Sequence, residues 1–252
     1  MRGATEGLRL QSAEWGIVLD PSQISFLSAY ADLLAGYKLA NVIGTKDGDK
    51  IVLEHLVDAL SCFLIEDLRQ ASSVIDVGTG AGLPGLPLAI TRPELRVTLL
   101  EAAEKKVRFL KHARAALGLR NLKVLHARVE EVGRTSSYRE AFDLATARAV
   151  AALPVVLEYC APLVRSGGAI LAMKGRPSHE ELSMGVVASG ELGLALREVR
   201  EVKYSTRLPQ KERRLVVFDK VRATPDRYPR RAGLAKKRPL GDLGGQAMRR
   251  AC

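Results

Sequence analysis

The stretch from Val74 to Pro87, VIDVGTGAGLPGLP, ends a short apolar run in an acid, Asp76, and then places Gly78, Gly80, Gly82 and Gly85 in quick succession. Glycine tolerates positive φ and lets a ligand lie against the backbone. The passage from strand to helix in an open α/β sheet is also where ligands bind. Three details narrow the ligand. Asp76 precedes the first glycine by two positions, where an acid would crowd the phosphates of a dinucleotide but suits a ligand with a cationic end. Gly78-Thr79-Gly80-Ala81-Gly82 is not the GxGxxG spacing, and Pro84 and Gly85 follow where a pyrophosphate loop would run into its helix. Glu101 closes the next apolar run, 23 residues after Gly78, where an acid can accept both hydroxyls of a ribose. Ribose and adenine without phosphates describe S-adenosyl-L-methionine (SAM). The reading therefore places Asp76, Gly78, Thr79, Gly80 and Gly82 around the amino-acid end of SAM and Glu101 on its ribose, with S-adenosyl-L-homocysteine as the product. An NAD-dependent oxidoreductase is disfavoured by the same residues.

Elements of alternating type must carry these residues. The spacing predicts strands over Ser73–Val77, Arg96–Glu101, Leu122–Ala127, Phe142–Thr146 and Gly168–Lys174. Helices are expected at Leu86–Thr91, Ala103–Leu117, Ala151–Val164 and Glu180–Gly190. Such alternation argues a mostly parallel sheet covered by helices on both faces. Two last strands, Leu196–Tyr204 and Arg213–Val221, are joined only by STRLPQKE, a connection short enough for a hairpin but not for a parallel crossover. The expected fold is thus α/β, a Rossmann-like class I SAM-dependent methyltransferase with a seven-stranded, mostly parallel sheet and an antiparallel last strand. Residues 1–70 read as a helical N-terminal extension, with apolar residues at helical spacing after Pro21 and again from Ile51. Residues 71–221 form the SAM-binding core. Residues 222–252 show no periodicity and read as a basic tail: nine Lys and Arg stand there against Asp226 and Asp242.

The totals bound partners. The chain has 252 residues, enough for a sizeable core, and a formal net charge of +11, which favours a polyanion such as nucleic acid or an acidic surface. Cys62, Cys160 and Cys252 are odd in number, and no CxxC occurs, so neither a disulfide framework nor a metal site is indicated. The N-terminus lacks the apolar core of a signal peptide, and Glu158 with two prolines interrupts the longest apolar region. A cytoplasmic, monomeric protein without a membrane span is expected.

DVGTGAGLPGLPLAI, LLEAAEKKVRFL, ARVEE, ATARAVA and AMKG occur in that order. In these the chain resembles the bacterial small-subunit ribosomal RNA guanine-N7 methyltransferases, the RsmG or GidB family, most densely over residues 74–175. The resemblance implies that Gly78 and Leu83 line the methionine part of SAM. It puts Val129 and Glu130 at the adenine, Arg148 beside the cofactor and the incoming base, and Lys174 on the RNA side. It also implies methylation of N7 of guanine 527 in the 530 loop of 16S rRNA, with the substrate open among naked 16S rRNA, a small-subunit precursor and the subunit itself. The N-terminal region departs from the family's pattern: Asn41, His55 and Asp58 match, while their neighbours do not.

Guanine N7 carries an in-plane lone pair and needs no deprotonation, so no general base is expected and none stands out. Catalysis would rest on aligning N7 with the methyl group. Arg148 and Lys174 are the candidate catalytic residues, through a hydrogen bond to O6. Arg230, Arg231, Lys236, Lys237 and Arg238, with Lys174, are the candidate RNA contacts, through phosphate. Cys160 falls in a predicted helix and reads as a core residue. The competing reading is a non-catalytic RNA-binding protein that keeps the methyltransferase fold. On the tail reading, deleting 222–252 weakens RNA binding and leaves SAM affinity unchanged.

Overall fold

The strand that leads into the glycine loop, β1 (Ser73–Val77), is buried at all five positions. A central parallel strand is covered on both faces, so its sequence runs apolar without alternation. The computed structural model describes residues 2–206 and 208–242. Four strands run parallel with one another beside β1 or beyond it: β2 (Arg96–Glu101), β3 (Leu122–His126), β4 (Phe142–Arg148) and β5 (Val164–Lys174). Next come β6 (Leu194–Glu201) and β7 (Arg214–Lys220), antiparallel to each other, with β7 also antiparallel to β5. The seven strands lie in the order β3-β2-β1-β4-β5-β7-β6. Strand order reverses between β1 and β4, so the carboxyl ends of these two strands open the crevice where such sheets bind ligands.

The hairpin is as expected, but β6 ends at Glu201 rather than Tyr204. The side chains after it turn towards the N-terminal helices: Val202 is buried, and the Tyr204 hydroxyl donates to Asp58 over 3.0 Å.

Two helices open the chain, α1 (Arg2–Glu14) and α2 (Pro21–Gly36). Asp20 caps α2 by accepting from the Gln23 amide, and the Gln23 side chain returns to the Asp20 amide, with Pro21 in the first turn. That reciprocal cap satisfies donors which the helix itself cannot. The run from Ile51, which reads as one amphipathic helix, is instead a chain of short turns. A wide π-type turn (Ile51–Leu56), an α turn (Val57–Leu60), a 3₁₀ turn (Ser61–Leu64) and a last α turn (Glu66–Gln70) follow one another. Almost every side chain from Leu56 to Phe63 is buried, so packing on all sides overrides a single amphipathic face.

Helices α3 (Gly85–Thr91) and α4 (Glu104–Ala116) cover one face of the sheet together with the N-terminal helices. A one-turn helix α5 (Val129–Val132) follows β3. The helices α6 (Leu153–Cys160) and α7 (His179–Leu192) cover the other face. β1 serves both layers: Val74 points into the first, Ile75 and Val77 into the second. No helix of the described residues is long and apolar enough to cross a membrane.

The stretch 222–242 departs from the expected tail. It packs on the second layer through Tyr228, Ala235 and Leu240, all buried, and forms a short helix α8 (Leu234–Lys237). Burying a side chain the size of Leu240 contributes about 1.5–3 kcal/mol. The buried Lys220 ammonium donates to the Thr224 hydroxyl at 2.6 Å, and Arg139 donates to the Thr224 and Tyr228 carbonyls at 2.7 and 2.9 Å. The apolar residues that anchor this stretch are single and irregularly spaced, so no period betrays them. Arg249 and Arg250 lie outside the described residues.

Candidate functional site

Asp76 sits at the fourth position of β1 and is fully buried. Its Oδ2 accepts from the Thr79 hydroxyl at 2.5 Å and from the Gly85 amide at 2.9 Å, and its Oδ1 accepts from the Thr146 hydroxyl at 3.0 Å. Burial pushes its carboxyl up to about 6, against the pull of these three donors. Asp76 thus folds the glycine loop from the inside instead of facing a ligand. A buried acceptor must be paired, and the loop's own donors are the nearest.

The glycines divide in the same way. Gly78, Gly80 and Gly82 all have positive φ. Gly85 is needed for close approach, since a Cβ there would stand 2.3 Å from Leu99 Cδ2 and 2.9 Å from Asp76 Oδ2. A Cβ on Gly82 would press on Leu86, Leu110 and the Tyr30 hydroxyl. Much of the glycine content therefore serves packing of the protein on itself. Thr79 and Leu83 are buried as well. Of the expected loop residues, Gly78 lines an open pocket, with Val77 beside it.

That pocket, of about 190 Å³, lies at the carboxyl ends of β1, β2 and β3. Glu101 projects into it from the end of β2. Its two carboxylate oxygens accept from the Gly80 amide at 2.9 Å and the Ala103 amide at 2.8 Å, which fixes the group and leaves each oxygen further acceptor capacity. Val129 and Glu130, at the start of α5, form the opposite wall. Glu130 is buried and its Oε1 accepts from the Gly233 amide at 3.0 Å. Tyr159 of α6 completes that side, its hydroxyl pushed up to about 12 by burial and by Glu130. Arg128 and Lys236 also border the pocket, so its two carboxylates face a mixed lining of apolar and cationic groups, and the fixed Glu101 carboxylate suits the hydroxyls of a nucleoside.

Gly233 and Lys236 also line the pocket. They come from the C-terminal stretch, and sequence reasoning did not place them there. Arg230 holds that stretch in place. Its guanidinium grips the buried Glu158 of α6 with Nη2 to Oε2 at 2.5 Å and Nε to Oε1 at 2.9 Å, and its amide donates to the same oxygen at 2.9 Å. Arg230 is therefore turned inward, away from the RNA contact expected of it. Arg231, Lys236, Lys237 and Arg238 are exposed.

Arg148 and Lys174 do not line the pocket: Lys174 reaches the turn that leaves β4, and Arg148, the last residue of β4, turns away from it. Ala149 adopts φ +55 there, an uncommon conformation for a residue with a Cβ. Val150 follows, lines the pocket, and would meet a Cβ on Gly78 at 2.9 Å. Lys174 donates to the Ala151 carbonyl at 2.9 Å and pairs with Glu181 at 2.7 Å, while Glu181 accepts from the Leu153 amide at 2.8 Å. The turn after β4 is thus tied down at Ala151 and Leu153, and through Val150 it forms part of the pocket wall.

Arg148 reaches backwards into the N-terminal zone. It donates to the His55 carbonyl at 3.2 Å and to His55 Nδ1 at 2.7 Å, and it lies 3.2 Å from Asp58 Oδ2. Asp58 is buried and is gripped a second time by Arg213, Nε to Oδ1 at 2.6 Å and Nη2 to Oδ2 at 3.0 Å. Burial, and then the adjacent Arg148 and Lys211 charges, hold the His55 imidazole down to about 4. Neutral His55 can accept from Arg148 through Nδ1; protonated His55 cannot. One carboxylate therefore joins the N-terminal helices, the end of β4 and the last hairpin.

The comparisons with known proteins identify the family and the fold. The family model for rRNA small subunit methyltransferase G, GidB, matches residues 23–205. A protein of Rubrobacter xylanophilus named "Ribosomal RNA small subunit methyltransferase G" is 51% identical over 95% of this chain and 92% of its own. One of Moorella thermoacetica with the same name is 42% identical over 95% of this chain and 100% of its own. Among solved structures, a branched-chain polyamine synthase mutein of Thermus thermophilus, in complex with N4-aminopropylspermidine and 5′-methylthioadenosine, superposes with a TM-score of 0.57. That alignment covers 81% of this chain and 64% of the synthase at 19% identity, and it speaks to the fold alone.

Proposed function

The chain belongs to the rRNA small subunit methyltransferase G family, whose cofactor is S-adenosyl-L-methionine, and on that premise we propose that it methylates N7 of guanine 527 in the 530 loop of 16S rRNA. The observation that carries this reading is Glu101: an amide-fixed carboxylate at the end of β2, facing a pocket whose other walls are largely apolar. In this reading Glu101 accepts from the ribose hydroxyls. Val129 and Glu130 border the adenine, and Gly78 marks where the methionine end begins. SAM supplies an electrophilic methyl group on a sulfonium.

The protein's own work is positioning. Guanine N7 attacks with its in-plane lone pair and needs no base, so the rate depends on alignment. Arg148 and Lys174 act as positioning residues. Lys174 fixes the turn after β4 through the Ala151 carbonyl, and Arg148 fixes the end of β4 against His55 and Asp58; that turn stands between the cofactor pocket and the side from which a base approaches. Exposed Arg231, Lys236, Lys237 and Arg238 contact phosphate, which adds affinity without choosing a sequence. Free 16S rRNA and a small-subunit precursor are both substrates of the right chemistry.

The test is mass spectrometry of 16S rRNA from cells with and without the protein, read at the 530-loop guanine. A methyl group present in both, or at another atom, overturns the assignment. Methyl incorporation from labelled SAM separates the enzyme from a non-catalytic RNA-binding protein of the same fold.

A further inference from the structure

A second concave surface lies at the opposite end of the parallel sheet. It forms a groove of about 450 Å³ at the amino ends of β1 to β4, lined among others by Ser73, Arg96, Arg114, Arg120, Asn121 and Tyr138. Arg96 is the first residue of β2, Arg114 lies in the last turn of α4, and Arg120 sits in the turn between α4 and β3. All three are exposed and none has an ion-pair partner among the described residues. The neighbouring arginines are different: Arg92 pairs with Glu94, Arg108 with Glu104, and Arg165 with Asp143. Asp143, next to the lining residue Phe142, is paired with Arg165 and also accepts from the Ser72 and Ser73 amides at 2.8 and 2.9 Å. No carboxylate lines the groove.

The backbone that carries the arginines is also held in place. Arg114 Nε donates to the Leu119 carbonyl at 3.3 Å and so fixes the turn that carries Arg120. The Asn121 amide donates to three carbonyls, of Ala89, Arg92 and Leu95, at 2.9, 3.2 and 3.0 Å, which ties the same turn to the approach to β2. Lys123 adds a fourth cation, although its ammonium is engaged by the Tyr138 hydroxyl at 2.8 Å. Unpaired guanidinium groups on a fixed concave frame, with hydroxyl and amide donors between them, match the spaced oxygens of a phosphodiester chain.

We propose that this groove is a second docking surface for the rRNA backbone, contacting a stretch of RNA other than the one that presents the methylated base. The separation follows from β2: Glu101 enters the cofactor pocket at one end and Arg96 the groove at the other, roughly 17 Å apart at ~3.3 Å per residue. The groove supplies affinity and orientation on a large substrate and takes no part in cofactor binding. The proposal rests on the rRNA reading above.

The test is the triple variant Arg96→Gln, Arg114→Gln, Arg120→Gln, with a triple lysine variant at the same positions as the charge-retaining control. Binding to 16S rRNA is measured against salt concentration. The glutamine variant should lose affinity by about ten-fold or more, and the slope of log K against log salt should fall by about 2–3. The lysine variant should keep both, and SAM affinity should be unchanged in each. An unchanged salt slope overturns the proposal. So does a loss seen only with assembled subunits and not with naked rRNA, because the groove then faces protein. Should the triple glutamine variant fold poorly, Arg120→Glu in the surface turn reads the same slope. Methylation by the wild-type protein is scored separately. Its absence would overturn the reading at the 530 loop, while the slopes still decide the groove.

Discussion

The Arg148 guanidinium stands 3.2 Å from the Asp58 carboxylate, and both side chains are withdrawn from solvent, 11% and 1% exposed. Arg213 closes on the same carboxylate from the other side at 2.6 Å. Removing one member of a buried charge cluster strands the others. Asp58→Ala should therefore cost about 3–5 kcal/mol of stability, read as a lowered midpoint in thermal or urea unfolding. A double-mutant cycle of Asp58 with Arg148 should show non-additivity. Strict additivity would mean that the pair is incidental.

His55 predicts a pH dependence with a definite sign. Its folded value near 4 lies below the ordinary imidazole value of 6.5. Between these values the unfolded chain binds the extra proton and the folded chain does not, so stability rises with pH across this window. The stabilisation is complete above about 6.5 and is lost as pH falls towards 4. The buried Asp76 works in the opposite sense, because its folded value, near 6, is raised, and its contribution falls as pH rises from about 4 to 6. Replacing His55 with Gln should remove the first trend and leave the second exposed. Melting temperatures of wild type and His55→Gln from pH 4 to 7 should then diverge in slope. Parallel curves would count against a His55 imidazole held neutral by burial.

The C-terminal stretch should matter for the cofactor. Truncation after residue 221 removes Gly233, Lys236 and the Arg230 clamp on Glu158, so SAM binding should be lost or severely weakened. This reverses the expectation that a basic tail could be deleted with SAM affinity intact. Glu158→Gln, which keeps the shape and removes the charge, should raise the SAM Kd by about ten-fold, or roughly 1.4 kcal/mol, as measured by calorimetric titration.

Glu101→Ala removes both the ribose acceptor and the anchor of the Gly80 and Ala103 amides. Charge-assisted hydrogen bonds of this type are worth about 1.5–3 kcal/mol, so SAM affinity should fall by roughly ten- to a hundred-fold while binding of rRNA persists. An unaltered SAM Kd would move the cofactor out of this pocket.

Gly85→Ala tests the packing explanation of the glycine loop. The new methyl would sit 2.3 Å from Leu99 and 2.9 Å from Asp76 Oδ2. Overpacking of this kind costs about 1–3 kcal/mol, and the loss should appear as reduced stability even without any ligand.

Local pattern carried much of the fold. β1 and β2 begin and end where the apolar runs do, and α4 ends within a residue of its expected limits. The hairpin followed from the length of one connection. The N-terminal zone was legible as helical but not in its breaks, since the turns from Ile51 to Gln70 answer to burial on all sides rather than to one amphipathic period. Within the site, Glu101 and Gly78 could be named from motif spacing, and Val129 and Glu130 from the family resemblance. Tyr159, Val150, Gly233 and Lys236 could not, because each reaches the pocket from an element far away in the chain.

By itself the sequence determined the order of strands and helices, the glycine turn after β1, the acid after β2 and the family to which these belong. These properties reside in neighbouring residues: periodicity, backbone freedom and motif spacing are local. Only the tertiary structure decided what each polar group spends its bonds on. Asp76 turned out to fold its own loop, Arg148 to grip Asp58 and His55, and Arg230 to pin the C-terminal stretch to Glu158. Pairings of buried charges are set by which donors and acceptors the fold withdraws from water together, and no local pattern specifies that.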